Sequence, residues 1–136
     1  MKEINVEIIT PSKSAYKGNV KSINIPGTSG NFQVLFNHAP LLSSFEIGKI
    51  KIVDMEGKTI EFATSGGTVE VKNNTVLVLA DSVEALEEID VERAKKSYER
   101  AKERLSSGSK GDIDIMRAEL SLQRAVNRMK FVGVNF

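Results

Sequence analysis

The chain has 136 residues and a formal net charge of +1, with 40% hydrophobic and 27% charged residues, as expected for one or two small globular domains. It contains no cysteine and a single histidine, His38, which excludes disulfides, thiolate metal sites, cysteine nucleophiles and zinc sites that need two imidazoles. Its apolar runs fall far short of the roughly 20 residues of a membrane-spanning helix. Its charged N-terminus does not resemble a signal peptide, and its balanced charge does not favour binding to nucleic acid.

Residues 1–86 alternate apolar and polar side chains in short runs, the pattern of half-buried strands. In the first run, Ile4, Val6 and Ile8 alternate with polar neighbours. Glycine, proline and asparagine interrupt these runs every 8–12 residues or so, which is typical of a β-sandwich or a β-barrel. Residues 54–57 and 73–74 are the clearest hairpin turns. Residues 75–80 lack the alternation, and we expect them to form a more fully buried strand.

From Asp90 onward the apolar spacing becomes 3-4-3-4, the period of helices that pack through one narrow seam. The turn residues 106–111 divide this segment, so the pattern predicts an antiparallel helical hairpin. Asp90 is expected to cap the first helix, and Asp112 or Asp114 the second, because a carboxylate accepts from the free backbone N–H groups. Alanine-rich seams bury little area, and we expect a hairpin of marginal stability. The predicted seam positions are Val91, Ala94, Tyr98, Ala101 and Leu105, then Ile115, Ala118, Leu122, Ala125 and Met129.

The charge composition changes near the same place in the chain. Residues 1–89 carry eight lysines and eleven acidic residues, whereas residues 90–136 carry eleven basic and seven acidic residues. We therefore predict two domains, residues 1–86 and residues 87–136. All six arginines lie in the second: Arg93, Arg100, Arg104, Arg117, Arg124 and Arg128.

The arginines fall on one flank of each predicted helix, together with Ser97 in the first helix and Ser121 in the second. In an antiparallel pair the same flank of each helix meets the other, and a turn centred near residues 108–109 brings Arg93 level with Arg124. Like charges that face each other lower stability unless an anion lies between them. Two interpretations stay open: two solvated helix faces, or an anion site, since guanidinium groups bind phosphate and carboxylate well.

Residues 30–42, which read GNFQVLFNHAPLL, resemble the hallmark of the epsilon subunit of F-type ATP synthase, a glycine-rich turn followed by His-Ala-Pro-Leu-Leu. Further segments occur in the family's order along nearly the whole chain. Two departures lie close to His38: the family usually has glycine at Gln33 and often Pro-Gly at Phe36-Asn37. The other matching segments are residues 8–11, 65–71, 76–80, 89–94 and 117–125.

The resemblance implies an N-terminal antiparallel β-sandwich followed by a C-terminal helical hairpin. It implies a non-catalytic rotor subunit whose sandwich clamps the gamma subunit and rests on the polar loops of the c-ring. The protein is expected at the cytoplasmic face of the cell membrane, attached peripherally and without direct insertion, and His38 is expected to fix a loop. The implied rotor-interface residues are Gly30, Asn31, Phe32, His38, Ala39, Pro40, Leu41 and Leu42.

In the family the hairpin permits ATP hydrolysis when folded, and when extended it blocks rotation by meeting an acidic segment of the beta subunit in the alpha/beta head. Some bacterial members bind ATP in the folded state through an I/L-D-x-x-R-A motif and two second-helix arginines four residues apart. By this resemblance, acidic side chains accept from the adenine amine and arginines donate to phosphate. ATP is then a regulatory ligand, and no cofactor is required. The implied ATP-binding residues are Glu84, Ile89, Asp90, Arg93, Ala94, Arg124 and Arg128.

Other functional classes remain as alternatives. The nearest is a freestanding ATP-binding sensor or adaptor protein. A small sandwich enzyme would need His38 together with an acid such as Glu70, but no further acid–base partners are evident in the sequence. Nucleic-acid binding has only the cations of the hairpin in its favour, and no aromatic platform accompanies them.

Overall fold

The computed structural model describes residues 2–106 and 112–133, without the side chains of residues 112–114. The chain divides into two compact units, Met1–Ala85 and Leu86–Phe136. The first unit consists of strands, and the second of one 3-10 turn, Leu86–Glu88, followed by two α-helices. This order of β-structure and then a helical pair confirms the predicted fold class.

The described part of the first unit contains nine strands joined in one hydrogen-bonded sheet. Two of them, β3 and β9, are three residues long and too short to give a periodic signal in the sequence. The strands are β1 (Ile4–Ile9), β2 (Ser14–Ile25), β3 (Phe32–Val34), β4 (Leu41–Phe45), β5 (Gly48–Asp54), β6 (Thr59–Thr64), β7 (Gly67–Lys72), β8 (Thr75–Ala80) and β9 (Val83–Ala85).

The sheet runs in the order β4-β7-β8-β1-β2-β5-β6-β9, and β3 pairs with β2. The predicted antiparallel pairing holds throughout except between β1 and β8, which run parallel. The twelve-residue β2 pairs with β1 over residues 14–20 and with β5 over residues 20–24, so it belongs to both halves of the sheet. A register shift between Val20 and Ser22 marks the change, as expected where one strand passes between two layers.

A single apolar core lies between the two halves of the sheet. Alternate residues of β1, such as Val6, point into it, and so do alternate residues of β5 and β8, such as Ile52 and Val78, all of them buried. Side chains from strands distant in the sheet order share this one cluster, because the sheet folds over on itself into two layers. The predicted alternation in the first two-thirds of the chain is thereby confirmed.

Strand β8 differs from the expectation. We predicted that residues 75–80 form a more fully buried strand, but Leu77 is only half-buried and Leu79 is 47% exposed. The prediction was wrong because the strand alternates like its neighbours and places apolar side chains on both faces. Its inner residues Val76 and Val78 belong to the core, while the two leucines lie on the outer face.

The predicted hairpin turns are present, and their residues suit the backbone that they adopt. Asn73 and Asn74 join β7 to β8 with positive φ angles of 52° and 58°, a conformation that asparagine tolerates better than most residues. The turn between β5 and β6 contains Gly57 at φ 83°. A carboxylate oxygen of Asp54 accepts from the backbone N–H groups of Glu56 and Lys58 and closes this turn.

The second unit contains the predicted antiparallel helix pair, α1 (Val91–Ser106) and α2 (Asp112–Phe131), which pack against each other. The buried side chains of the pair are mostly alanines of the predicted seam, which confirms its position. Asp90 caps α1, because its Oδ1 accepts from the N–H of Arg93 at 3.0 Å. The alternative caps of α2, Asp112 and Asp114, lie outside the described side chains. The buried seam residues are Ala94, Ala101, Ala118, Ala125 and Met129.

Among the described residues, neither α1 nor α2 is apolar enough over sufficient length to span a membrane.

Candidate functional site

The arginines of the second unit follow one rule of placement. Arg93 and Arg100 each come directly before a buried seam alanine of α1, and Arg117 and Arg124 each come directly before a buried seam alanine of α2. One residue is a 100° step around a helix, so these side chains lie on one flank of each seam. Because the helices run antiparallel, these flanks lie on the same side of the pair. We call this set, with Arg128 before buried Met129, the arginine stripe.

The arginine stripe is poorly neutralised by the protein itself. Among the side chains of residues 2–106 and 115–133, no carboxylate forms an ion pair with Arg93, Arg117 or Arg124, and all three arginines are exposed. Arg100 is also exposed, and its guanidinium donates a 3.4 Å hydrogen bond to the Ser97 hydroxyl. Exposed guanidinium groups such as those of Arg93 and Arg124, on packed helices, are chemically suited to a polyanion.

The predicted ATP-binding residues separate into three groups in the structure. Asp90 and Arg93 lie exposed at the start of α1, whereas Ile89 and Ala94 beside them are buried packing residues. Arg124 and Arg128 lie on α2, with Arg128 half-buried. Glu84 lies on β9 of the first unit, opposite Ala63 of β6. The second unit therefore carries every predicted residue except Glu84.

Asp90 has two roles to reconcile. Its Oδ1 caps α1, and this bond occupies one carboxylate oxygen. The other oxygen, Oδ2, has no hydrogen bond within the described part of the chain, and the side chain is exposed. Asp90 can therefore keep its cap and still accept one hydrogen bond from a ligand.

The predicted rotor-interface residues lie in the loops on either side of β3, on β3 itself and at the start of β4. Gly30, Asn31, Ala39 and Pro40 are exposed, and Gly30 has a φ of 130° that glycine adopts more readily than other residues. Two of the predicted contacts face the other way, since Phe32 and Leu41 pack against the core. Leu42 points outward and is 76% exposed.

His38 has a local structural role in its loop. Its backbone N–H donates to the Leu35 carbonyl at 3.1 Å. Its ring Nδ1 lies 2.7 Å from the Ala39 carbonyl oxygen, which can only accept, so Nδ1 carries the proton in this bond. Both bonds hold the loop that precedes β4. This arrangement agrees with the expectation that His38 fixes a loop.

The structure explains one departure from the family pattern. Asn37 has a φ of 63°, the left-handed conformation that favours glycine and that asparagine also adopts. Its backbone N–H donates to Oδ1 of Asn74 at 2.6 Å, and its Oδ1 accepts from Nδ2 of Asn74 at 3.3 Å. Asparagine thus meets the backbone requirement and adds a tie to the β7–β8 turn. Gln33, the other departure, is exposed on β3.

An apolar outer face on the first unit was not predicted from the sequence. Leu42 on β4 and Leu77 on β8 are both register partners of Glu70 on β7, so all three share one face. Leu79 lies on the same face and pairs across the parallel ladder with Ile9 of β1. We call Ile9, Leu42, Leu77 and Leu79 the outer apolar face. A groove of about 390 Å³ beside it is lined by residues that include Ile9 and Leu79.

Comparisons with known proteins agree with both units. Residues 3–86 match the model of the beta-sandwich domain of the ATP synthase Delta/Epsilon chain, and residues 87–133 match its long alpha-helix domain. The ATP synthase epsilon chain of Desulforamulus reducens is 41% identical over 92% of this chain and 93% of its own length. That of Halalkalibacterium halodurans is 37% identical over 98% of this chain and 99% of its own.

The fold also occurs in a solved assembly. A chain in the cryo-EM structure of the Euglena gracilis mitochondrial ATP synthase, OSCP/F1/c-ring, superposes with a TM-score of 0.81. The match covers 92% of this chain and 78% of that one at 23% sequence identity. At this identity the match shows a shared fold.

Proposed function

The chain belongs to the ATP synthase delta/epsilon chain family, and we propose that it is the epsilon subunit of the central stalk. There it would join the gamma subunit to the c-ring without catalysing a reaction itself. It would lie at the cytoplasmic face of the membrane and attach through these partners. The observation that carries this proposal is the outer apolar face, because a surface of this kind is typical of a subunit interface.

Leu42 and Leu79 are the anchors that we propose for gamma. They are 76% and 47% exposed, on β4 and β8 of one sheet face. Burying such side chains against a partner contributes roughly 25 cal/mol for each Å² of apolar area removed from water. Phe45 of β4 and Val78 of β8 are buried in the apolar cluster behind this face, which anchors both strands. The face therefore needs little ordering to bind.

Charge substitutions on this face test the proposal. The full chain carrying Leu42→Asp and Leu79→Asp is mixed with gamma, and the complex is measured by co-purification and calorimetry. We expect the affinity to fall about tenfold or more, as for anchor residues in other interfaces. Thr59→Asp is the matched control, because Thr59 is an exposed strand residue on β6, away from this face. Retention of gamma by the doubly substituted chain, shown by circular dichroism to be folded, would contradict the proposal.

For the hairpin we propose an ATP-sensing role that regulates hydrolysis. The folded pair carries Arg93 and Arg124 on the same side of the seam, exposed and without carboxylate partners among the described residues. A triphosphate would relieve their mutual repulsion, while Asp90 keeps one oxygen available for the adenine amine. The buried Ile89 and Ala94 would act through packing, and Glu84 remains a predicted contributor from β9.

Ligand linkage gives this arrangement its regulatory effect. At a concentration 100 times its dissociation constant, a ligand that binds only the folded pair stabilises it by about 2.7 kcal/mol. That amount of free energy is enough to move the equilibrium of a marginally stable hairpin substantially toward its folded form. When ATP is scarce, the extended form would dominate, and its arginines would meet the acidic segment of the beta subunit and block hydrolysis.

The binding test compares two ends of the arginine stripe. Arg93→Ala and Arg124→Ala should each weaken ATP binding by about 1.5–3 kcal/mol, the range for a hydrogen bond to a charged group. Arg117→Ala is the matched control, since it removes the same charge from the same stripe seven residues away from Arg124. We expect it to have the smaller effect in calorimetry on the full chain.

Two outcomes would contradict the nucleotide site. An equal loss in Arg117→Ala would indicate unspecific attraction of a polyanion to a basic surface. Unchanged ATP binding in Arg93→Ala and Arg124→Ala would indicate that the arginine stripe serves only the acidic segment of the beta subunit.

A further inference from the structure

A second groove in the first unit shares no described lining residue with the outer apolar face, and part of its wall is the loop that precedes His38. It has a volume of about 640 Å³, inside the range of roughly 300–1,000 Å³ typical of small-molecule sites. Four separate segments of the unit contribute to its wall. Its lining residues are Lys2, Lys21, Leu35, Phe36, Asn37 and Met55.

One of the two lysines is placed there by a β-bulge. In the ladder between β2 and β5, Val20 pairs with Asp54 and Ser22 pairs with Val53, so Lys21 is an extra residue without a partner on β5. Ser22 and the residue after it are both buried, which breaks the alternation of the strand. A bulge of this kind redirects a side chain, and here it leaves Lys21 exposed at the groove.

The apolar wall of the groove is held in place although much of it faces solvent. Leu35 is 50% exposed and Phe36 is 37% exposed, in the loop after β3. The hydrogen bonds between Asn37 and Asn74 tie this loop to the β7–β8 turn, and the N–H of His38 donates to the Leu35 carbonyl. Adjacent large apolar side chains exposed on a fixed loop are typical of a binding surface.

The charge of the lining selects the class of ligand. Both charged residues of the described lining, Lys2 and Lys21, are cations, and no carboxylate is among the described lining residues. Neither lysine has a hydrogen bond or an ion pair within the described part of the chain. The remaining wall is apolar apart from the Asn37 amide. A ligand that matches this lining has one anionic head and an apolar chain.

We propose that this groove binds a single-chain anionic amphiphile, with its carboxylate at Lys2 and Lys21 and its alkyl chain against Leu35, Phe36 and Met55. Apolar contact provides most of the affinity, because each methylene of the alkyl chain that the groove buries is removed from water. The two ammonium groups provide the preference for an anionic head. None of the described lining residues is among the predicted rotor-interface or ATP-binding residues.

The test uses the full chain and dodecanoate below its micelle concentration, followed by calorimetry and by amide chemical shifts in NMR. We expect saturable binding of one molecule, with shift changes at Leu35, Phe36 and Met55. Butanoate and dodecyltrimethylammonium should each bind about tenfold more weakly or worse, because one lacks the chain and the other lacks the anion.

Variants locate the site. Lys21→Gln should weaken dodecanoate binding about two- to fivefold, as expected for one exposed ion pair. Phe36→Ser should weaken it further and leave the fold intact, because Phe36 lies outside the core cluster. Lys17→Gln is the matched control, since Lys17 is an exposed lysine of the same strand that does not line the groove. Its binding should equal that of the parent chain.

Several results would overturn the proposal. These are the absence of saturable binding, equal affinity for the cationic amphiphile, and equal losses in Lys17→Gln and Lys21→Gln. Binding to phosphatidylglycerol vesicles without binding to monomeric dodecanoate would also overturn it, because the surface would then serve a bilayer and not a single chain. Capture of an acidic peptide in preference to dodecanoate would assign the groove to a protein partner.

Discussion

The two units of this chain are built from different amounts of apolar surface. The sandwich buries isoleucines, valines and phenylalanines in one cluster, including Ile4, Ile52 and Phe62. Among the described residues of the helical hairpin, four alanines and Met129 are buried along the seam. Because stabilisation scales with apolar area, the sandwich can persist as a fixed platform, whereas the hairpin needs further contacts or a ligand. A protein can thus combine a constant docking surface with a second element whose folding equilibrium is changed by a small ligand.

Core truncation should give the largest effect and separate the two units. Ile52→Ala removes a fully buried side chain and should lower the free energy of unfolding of the sandwich by about 2–5 kcal/mol. Leu122→Ala removes a half-buried side chain of α2 and should lower hairpin stability by only about 1 kcal/mol. Residue-resolved amide exchange measures both units in one sample. Equal losses at the two sites would contradict the contrast between the cores.

Substitutions of Asn37 test whether the loops of the sandwich contribute to its stability as the core does. Asn37→Ala keeps a residue at φ 63° that tolerates this conformation less well than asparagine, and it removes the acceptor for Asn74, so stability should fall by about 1–2 kcal/mol. Asn37→Gly keeps the backbone N–H bond and suits the left-handed conformation, so its loss should be smaller than that of Asn37→Ala. Chemical denaturation followed through amides of the sandwich gives both values. A larger loss in the glycine variant would show that the side-chain bond outweighs the backbone conformation.

The helix cap is the matching test in the hairpin. Asp90→Ala removes the acceptor for the N–H of Arg93 and should lower helix stability by about 0.5–2 kcal/mol. Asp90→Asn retains a capping oxygen and should nearly preserve stability while removing the charge. ATP affinity measured in both variants then separates capping from ligand contact. If Asp90→Asn binds ATP as the parent chain does, the carboxylate charge has no part in binding.

Removal of the hairpin should have the smallest effect on the sandwich. A chain that ends after residue 86 keeps all nine described strands and the whole apolar cluster. Its sandwich amides should exchange within about twofold of the full chain, since the core supplies their stability. An unfolded product would show that the first unit depends on the second.

Periodic patterns predicted most of this fold, and the places where they failed have physical causes. Alternation located the main strands, and the 3-4-3-4 spacing located the seam from Ala94 to Met129. Strands β3 and β9 were missed because three residues carry no period. Leu77 and Leu79 were assigned to the interior because an apolar outer face and a doubly buried strand look alike in sequence. In the β7–β8 ladder Leu77 pairs with Glu70 and Leu79 pairs with Thr68, which assigns both leucines to the outer face.

The candidate sites were predictable to different degrees. The arginine stripe followed from spacing alone, because each arginine precedes a seam residue. The groove at Lys21 could not be predicted, since it depends on a bulge and on a hydrogen bond between Asn37 and Asn74, which lie 37 residues apart. Features of this kind arise from the pairing of distant segments and leave no local signal.

Amide hydrogen exchange on the full chain, with and without ATP, tests the central claim that a ligand controls the hairpin while the sandwich stays constant. At an ATP concentration 100 times the dissociation constant, we expect amides of α1 and α2 to exchange about 100-fold more slowly, which corresponds to about 2.7 kcal/mol. Amides of β1, β5 and β8 should be unaffected. Unchanged exchange in both helices, or equal slowing in the sandwich and the hairpin, would contradict the account.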